Sequence, residues 1–273
     1  MKIEQSSRKI AEQLDQFFTK ESLATSLFKI LQGYLLKEKI EINNWLEPSA
    51  GSGAFFKLMP LEGRLGIDIA PQIEGVIQSD FLQYKLPNMP FITVGNPPFG
   101  KNSSLAIKFF NKCATVSEVI AFVVPKTFNK QSTISKLDSK FHLEFCEQLP
   151  ENSFELQGKA YDVPCVFQIW RRKDILREKV VIIRKHEDFI FCDRENASFA
   201  IQRVGVNAGS LKRDLSTIAS QSHYFIQASV EVEKLFSQID WNCVKYNTAG
   251  NPSIAKGELI DLYIKEKNIQ LGK

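Results

Sequence analysis

What most constrains this chain is a series of short apolar runs, none longer than a strand, separated by helix-like stretches. The runs cover residues 45–46, 65–69, 76–77, 91–94, 119–124, 143–149 and 164–170. Most end in turn residues or small polar residues. Between them lie stretches with helical spacing, of which 105–113 is the clearest. Upstream, Ile10, Leu14, Phe17 and Phe18 recur at helical spacing over 6–20. Leu23, Leu27, Ile30, Leu31 and Leu35 then share one face of a second helix reaching Leu36, with Thr19 or Ser22 as its cap. Strands alternating with helices predict an α/β fold around a mostly parallel sheet.

After Arg171-Arg172-Lys173 the texture changes. Residues 180–184, 189–193 and 199–204 read as strands, and 229–240 and 254–265 as helices, the latter with a helix start at Ser253. The expected organisation is a catalytic domain over 1–172 and a small α+β extension over 173–273. At 273 residues the chain has room for one large domain, or a medium one with an appendage. Its five cysteines are scattered with no C-x-x-C pair and read as free buried thiols of a reducing, cytoplasmic compartment. No zinc spacing is present, and no metal is expected. Residues 1–8 contain no apolar stretch and no 18-residue apolar run occurs, so neither a signal peptide nor a membrane span is expected. The net charge of +4 is too weak to announce a nucleic acid partner by itself.

Four strand ends carry chemistry. The first is Glu47-Pro48-Ser49-Ala50-Gly51-Ser52-Gly53, a small-residue loop followed by an apolar helix start. Gly51 and Gly53 let a ligand approach the backbone closely, as at nucleotide-type cofactor sites. The same loop also suits a tight turn with no ligand. Phe56 stands where a third glycine would, and is expected to crowd a pyrophosphate on the helix N-terminus. That favours a cofactor without phosphates, such as S-adenosylmethionine (SAM), over NAD. The second is Asp68-Ile69, where a carboxylate at a strand end can accept from both ribose hydroxyls. Read alone, Asp68 is equally a helix cap. The third is Asp80-Phe81, an acceptor for an adenine amine beside a flat ring.

The fourth, Asn96-Pro97-Pro98-Phe99, is the sharpest. A double proline ends a strand and fixes a rigid bend whose carbonyls have no local partner. The Asn96 amide oxygen and the Pro97 carbonyl can then both accept from one planar NH2 group, while Phe99 supplies a face for its ring. Two acceptors keep electron density on the nitrogen and turn its lone pair toward an electrophile.

On these motifs, residues 17–172 resemble the SAM-dependent amino-methyltransferases, above all the N6-adenine nucleic acid methyltransferases. Their Asn/Asp-Pro-Pro-aromatic hallmark stands here as Asn96-Pro97-Pro98-Phe99, and their SAM loop as Glu47 to Gly53. Their Phe-x-Thr-Pro element, near the methionine end of SAM, is matched in part by Phe17-Phe18-Thr19-Lys20, where lysine replaces proline. The resemblance implies a Rossmann-like fold with a mostly parallel seven-stranded sheet and helices on both faces. It implies SAM held by Phe18, Thr19, Glu47, Pro48, Ser49, Ala50, Gly51, Gly53, Asp68, Ile69, Asp80, Phe81 and Asn96. It also implies a second aromatic closing over a flipped base, with Phe154 the first choice and Tyr161 the second. Lys101, Lys126 and Lys130 can meet phosphates at the same rim, or simply be solvated. In the extension, Arg203, Lys212 and Arg213 flank residues 204–210, read either as a flexible nucleic-acid-contacting loop or as an ordinary β-element. The implied activity is methyl transfer to the N6 amine of adenine, in DNA more than in RNA. Other readings are an RNA base amine, a protein glutamine amide, and a catalytically silent nucleic-acid-binding subunit.

Overall fold

The structure, a computed structural model, describes residues 18–156, 159–161, 163–178, 181, 183–248 and 250–272. The chain divides into two compact units, Met1–Lys179 and Val180–Lys273. In chain order the first holds β1 (Phe18–Thr19), α1 (Glu21–Lys37), β2 (Trp45–Glu47), β3 (Arg64–Asp68), β4 (Val76–Gln78) and β5 (Phe91–Gly95). These are followed by α2 (Ser104–Cys113), β6 (Ser117–Pro125), α3 (Gln131–Ile134), β7 (Phe141–Gln148), β8 (Phe154–Leu156), β9 (Lys159–Tyr161) and β10 (Cys165–Arg172).

Seven strands form one sheet in the order β4-β3-β2-β5-β6-β10-β7. The pairs from β4 through β6 are parallel, and β10 runs antiparallel to both β6 and β7. This is the expected Rossmann-like α/β architecture. The chain builds outward from β2 to β4, then returns to place β5 on the other side of β2. Such a switch point opens a crevice at the strand C-termini.

β6 shows why the sheet is covered on both faces. Val119, Ala121 and Val123 pack with Ala24, Leu27, Phe28 and Leu31 of α1. Ile120, Phe122 and Val124 pack with Ala106, Phe109, Phe110 and Cys113 of α2. A strand buried on both sides has no polar face, so it reads as an unbroken apolar run. The Phe110 ring meets Phe122, Phe141 and Trp170 edge-on at 6.4, 5.6 and 5.5 Å. Phe110→Ala is therefore expected to cost about 3–5 kcal/mol of stability, measured by urea unfolding.

Several expectations are corrected here. No α-helix follows the glycine loop; the chain makes only a 3-10 turn at Phe56–Leu58 before Pro60 and β3. The stretch from Gly53 to Arg64 is too short for a helix that must also return to the sheet. Phe18–Thr19 is a strand rather than the end of a helix, and residues 6–17 of the expected first helix lie outside the described residues. Neither Thr19 nor Ser22 caps α1, which begins after an extended Lys20. Cys113 and Cys165 are buried, but Cys146 and Cys243 are exposed and Cys192 is half-buried. Among the described residues no helix is long and apolar enough to cross a membrane.

The second unit is an antiparallel sheet of β11 (Phe189–Phe191), β12 (Phe199–Gln202), β13 (Leu211–Lys212) and β14 (His223–Ala228), in the order β11-β14-β12-β13. It carries α4 (Val230–Gln238), α5 (Asn242–Lys245) and α6 (Lys256–Gln270). Ser229 caps α4 by accepting from the Val232 N–H. The core gathers Phe189, Phe199, Ile226, Phe236, Trp241 and Tyr263. The expected strand over 180–184 is absent at 181, 183 and 184, and residues 180 and 182 lie outside the described residues. α6 starts at Lys256 rather than Ser253; the Glu258 carboxylate accepts from the Ala255 N–H, and Ser253 bridges to Val204 instead. Residues 204–210 are pinned rather than loose. Gly205 N–H donates to the Pro252 carbonyl at 2.8 Å and Gly209 N–H to the Gln202 carbonyl at 2.7 Å. Gly209 has φ +97 and lies flat on Trp241, leaving no room for a Cβ.

Candidate functional site

The ends of β2, β3 and β5 open onto a cavity of about 600 Å³. Its walls bring together residues from distant parts of the sequence. β1 contributes Phe18 and Thr19, and the β2 loop contributes Glu47, Pro48, Ser49, Ala50 and Gly51. The β3 end adds Asp68 and Ile69, and the turn after β4 adds Asp80 and Phe81. The β5 loop adds Asn96, Pro98 and Lys101. Of the residues expected to hold the cofactor, only Gly53 is not on the wall; its φ of +81 shapes the turn beneath, where its N–H donates to the Ala50 carbonyl at 2.7 Å.

Asp68 ties the wall together. Its Oδ2 accepts from the Gly51 N–H at 2.8 Å and its Oδ1 from the Ala70 N–H at 2.7 Å. The carboxylate expected to meet a ribose thus also anchors the glycine loop to β3. Gly51 itself has φ +49 and stands so close to the Phe18 ring that a Cβ would lie 2.9 Å from it. Ser49 Oγ donates to the Asn96 carbonyl at 3.1 Å, joining the β2 and β5 loops. Asp80 Oδ1 accepts from the Leu82 N–H at 2.9 Å, and Phe81 leans on Phe109 with centroids 4.9 Å apart.

Thr19 Oγ1 and Glu47 Oε2, both buried and both of residues on this wall, have no partner among the described residues. A buried acceptor without a partner is costly unless a ligand satisfies it. Glu47 is 2% exposed. Burial pushes its carboxyl well above the usual carboxylate range, nearby Asp68 adds to the rise, and the Phe56 N–H offsets only part of it. A proton held on Glu47 in the folded chain stabilises the fold at acid pH, and that stability fades as pH climbs through the raised value. Glu47→Gln is thus expected to flatten the fall in melting temperature as pH climbs above the ordinary carboxylate range, read by thermal unfolding without ligand.

Other placements differ from expectation. Phe56 does not face the cavity. Its ring fills the space above Gly66, where a Cβ would lie 2.7 Å away, and the Arg64 guanidinium covers it at 4.3 Å. Phe55 lines the cavity in its place. Steric crowding by Phe56 is therefore no argument against a pyrophosphate. The missing helix is a better one, because no helix N-terminus is there to receive it. Phe99 is 8% exposed and belongs to the core on the α1 side. Phe154 is 0% exposed in that same core, its strand pairing Thr19 on one side and Tyr161 on the other. This conformation offers no face of Phe154 to a base; it supports the wall from behind. Tyr161 faces Phe154 in the β8–β9 register, and its side chain lies outside the described residues.

The expected phosphate contacts fall in both units. Lys101 is exposed on the cavity wall, while Lys126 and Lys130 bound the turn after β6. In the second unit Arg203 lies over the Tyr224 ring at 5.2 Å, Lys212 is on β13, and Arg213 pairs with Glu233 at 2.6 Å. The sequence reading missed Ser52, Ala54, Leu82, Gly100, Leu105 and Phe109, which complete the wall. Ser52, Ala54, Leu82 and Gly100 adjoin residues already singled out, whereas Leu105 and Phe109 carry only the helical spacing of 105–113.

No protein-family model and no curated protein matches the chain. Among solved structures it is similar to PH1948 of Pyrococcus horikoshii, described as a candidate RNA methyltransferase. Identity is 17%, the TM-score 0.43, and the match covers 58% of this chain and 87% of that one. It is similar to the 23S rRNA methyltransferase ErmE at 17% identity and TM-score 0.43, covering 60% of this chain and 72% of that one. A candidate class I SAM-dependent methyltransferase of Listeria monocytogenes matches at 17% identity and TM-score 0.41, over 60% and 64% of the two chains. Likeness this low carries nothing about ligand or reaction, which rest on the cavity's own residues.

Proposed function

We propose that the chain transfers the methyl group of SAM to the exocyclic N6 amine of adenine in nucleic acid, with DNA as the first choice. One observation carries the reading: Asn96 and Pro98 of the double-proline loop stand on the same cavity wall as Glu47, Asp68 and Asp80. The loop read as supplying two acceptors is thus next to the acids read as holding a nucleoside with a cationic end.

The wall fits SAM. Glu47 Oε2 and Thr19 Oγ1, buried without partners among the described residues, suit the ammonium and carboxylate of an amino-acid end. Asp68 retains lone pairs for ribose hydroxyls beyond its two backbone bonds. Asp80 and Phe81 suit an adenine amine and ring, and Ile69 adds apolar cover. When bound, SAM supplies a methyl group on an electrophilic sulfonium, so no covalent enzyme intermediate is required.

The chain's task is then to place and polarise the amine. The Asn96 amide oxygen and the Pro97 carbonyl accept its two hydrogens, orient its lone pair, and present fixed dipoles to the positive charge it gains. The surplus proton leaves after transfer, so no strong general base is needed at the loop. Lys101, Lys126 and Lys130 on the first unit, and Arg203, Lys212 and Arg213 on the second, are the proposed phosphate contacts. The second unit, residues 180–273, is the proposed substrate-recognition extension. With Phe154 enclosed, Tyr161 becomes the proposed second ring against a flipped base, and Phe99 stays the proposed first.

The test is incubation with methyl-labelled SAM and separate DNA, RNA and protein pools, followed by nucleoside analysis. Label recovered as N6-methyladenine from DNA is the expected result. Label in RNA alone moves the substrate but keeps the chemistry. Label in protein, with none in either nucleic acid, overturns the reading.

A further inference from the structure

The chain that leaves the Asn96-Pro97-Pro98-Phe99 loop follows an unusual path. Gly100, Asn102 and Ser103 have φ of 67°, 55° and 60°. Glycine takes this left-handed region freely, but Asn102 and Ser103 each carry a Cβ that disfavours it. Such strain persists only where the surroundings hold it, and it concentrates at working sites.

The holding contact is visible. Ser103 is 3% exposed, and its Oγ lies 2.6 Å from Thr127 Oγ1. Thr127 belongs to the 3-10 turn Lys126–Asn129 that follows β6, so this bond joins the rim loop of one central strand to that of the next. Between the strain and the catalytic loop the path is short. Ser103 N–H donates to the Gly100 carbonyl at 3.1 Å, and the Leu105 and Ala106 N–H groups both donate to the Phe99 carbonyl, at 3.1 and 3.3 Å. The carbonyl that closes the Pro-Pro-Phe bend is thereby fixed to the first turn of α2. On the opposite side Ser49 holds the Asn96 carbonyl.

We propose that the Ser103–Thr127 hydroxyl pair is a positioning clamp for the Asn96-Pro97-Pro98-Phe99 loop. It stabilises the left-handed turn that aims the Asn96 and Pro97 acceptors at the substrate amine. The catalytic part of this proposal rests on the methyl-transfer reading; the clamp itself is a statement about the loop. Neither residue of the pair is on the cavity wall, and both are positioning residues. Burial makes the pair decisive: removing the Thr127 hydroxyl leaves the Ser103 hydroxyl enclosed without its partner.

Thr127→Val keeps the shape and removes the hydroxyl, while Thr127→Ser keeps the hydroxyl. Two measurements on the full chain separate the clamp from the function. Hydrogen exchange over residues 95–105, read by mass spectrometry, needs no substrate. Thr127→Val and Ser103→Ala are expected to exchange about tenfold faster there, and Thr127→Ser like the wild type. Exchange unchanged in Thr127→Val and Ser103→Ala overturns the clamp. Methyl transfer to DNA at saturating SAM is the second measurement. The rate of Thr127→Val is expected to fall roughly 10- to 100-fold, with SAM affinity by calorimetry unchanged and Thr127→Ser restoring the rate. Equal losses of rate and SAM affinity, or a loss that Thr127→Ser does not restore, show a merely structural role and overturn the positioning. A wild type that labels no nucleic acid overturns the methyl-transfer reading instead, and hydrogen exchange alone then decides the clamp.

Discussion

Asn96→Ala is expected to lower the rate of methyl transfer at saturating SAM by about 100-fold or more, while SAM affinity stays within a few-fold of wild type. The substitution removes an acceptor that matters most as the amine nitrogen gains positive charge. It leaves the loop's scaffold in place. Pro97 and Pro98 keep their fixed φ, and Ser49 Oγ bonds the backbone carbonyl of residue 96, which alanine retains. The loss therefore falls on the rate rather than on binding. Asn96→Asp supplies the internal comparison, because a carboxylate still accepts from an amine and is expected to keep more rate than alanine does. Single-turnover transfer from labelled SAM, with calorimetry on the same preparations, reads both quantities. Wild-type turnover in Asn96→Ala would remove Asn96 from the mechanism.

The sheet is legible in the sequence because a strand buried on both faces must be apolar throughout, and β6 is that strand. The cavity is legible for a related reason. Loops that must approach a ligand need glycine, proline or a short acid, and those residue types mark the ends of β2, β3 and β5. What escapes is decided by pairing across distance. Phe154 reads as a ring free to close over a base, but the face its ring takes is set by pairing with Thr19, some 135 residues earlier. Phe56, in a 3-10 turn, fills the space left by Gly66, a small residue on β3. The left-handed turn at Asn102 and Ser103 carries no local mark, since its partner Thr127 lies on another loop. The missing helix after Gly53 is the exception: Pro60 and the short distance to β3 announce it, and the glycine pattern hides it.

Asp68→Ala carries the second large effect, on binding. Asp68 holds two backbone N–H groups with separate oxygens, Gly51 at 2.8 Å and Ala70 at 2.7 Å. Hydrogen bonds to a charged group contribute about 1.5–3 kcal/mol each, so losing both removes roughly 3 kcal/mol or more of the order in the glycine loop. That loss corresponds to about a 100-fold weaker affinity for SAM. Three backbone bonds of the loop remain, Ala50 N–H to the Ile67 carbonyl at 3.1 Å, Gly53 N–H to the Ala50 carbonyl at 2.7 Å and Gln72 N–H to the Gly51 carbonyl at 3.0 Å, but none of them holds the Gly51 N–H, and Gly51 at φ +49 is a glycine able to leave the conformation in which the Phe18 ring packs on it. Asp68→Asn separates charge from acceptor. Its single carbonyl oxygen can serve one of the two N–H groups, and the expected loss is about tenfold. Calorimetric titration with SAM ranks wild type, asparagine and alanine in that order, and far-ultraviolet circular dichroism checks that the sheet is intact. Alanine binding SAM within threefold of wild type would mean that the loop is held by its own turn, with neither the loop nor the ribose depending on Asp68.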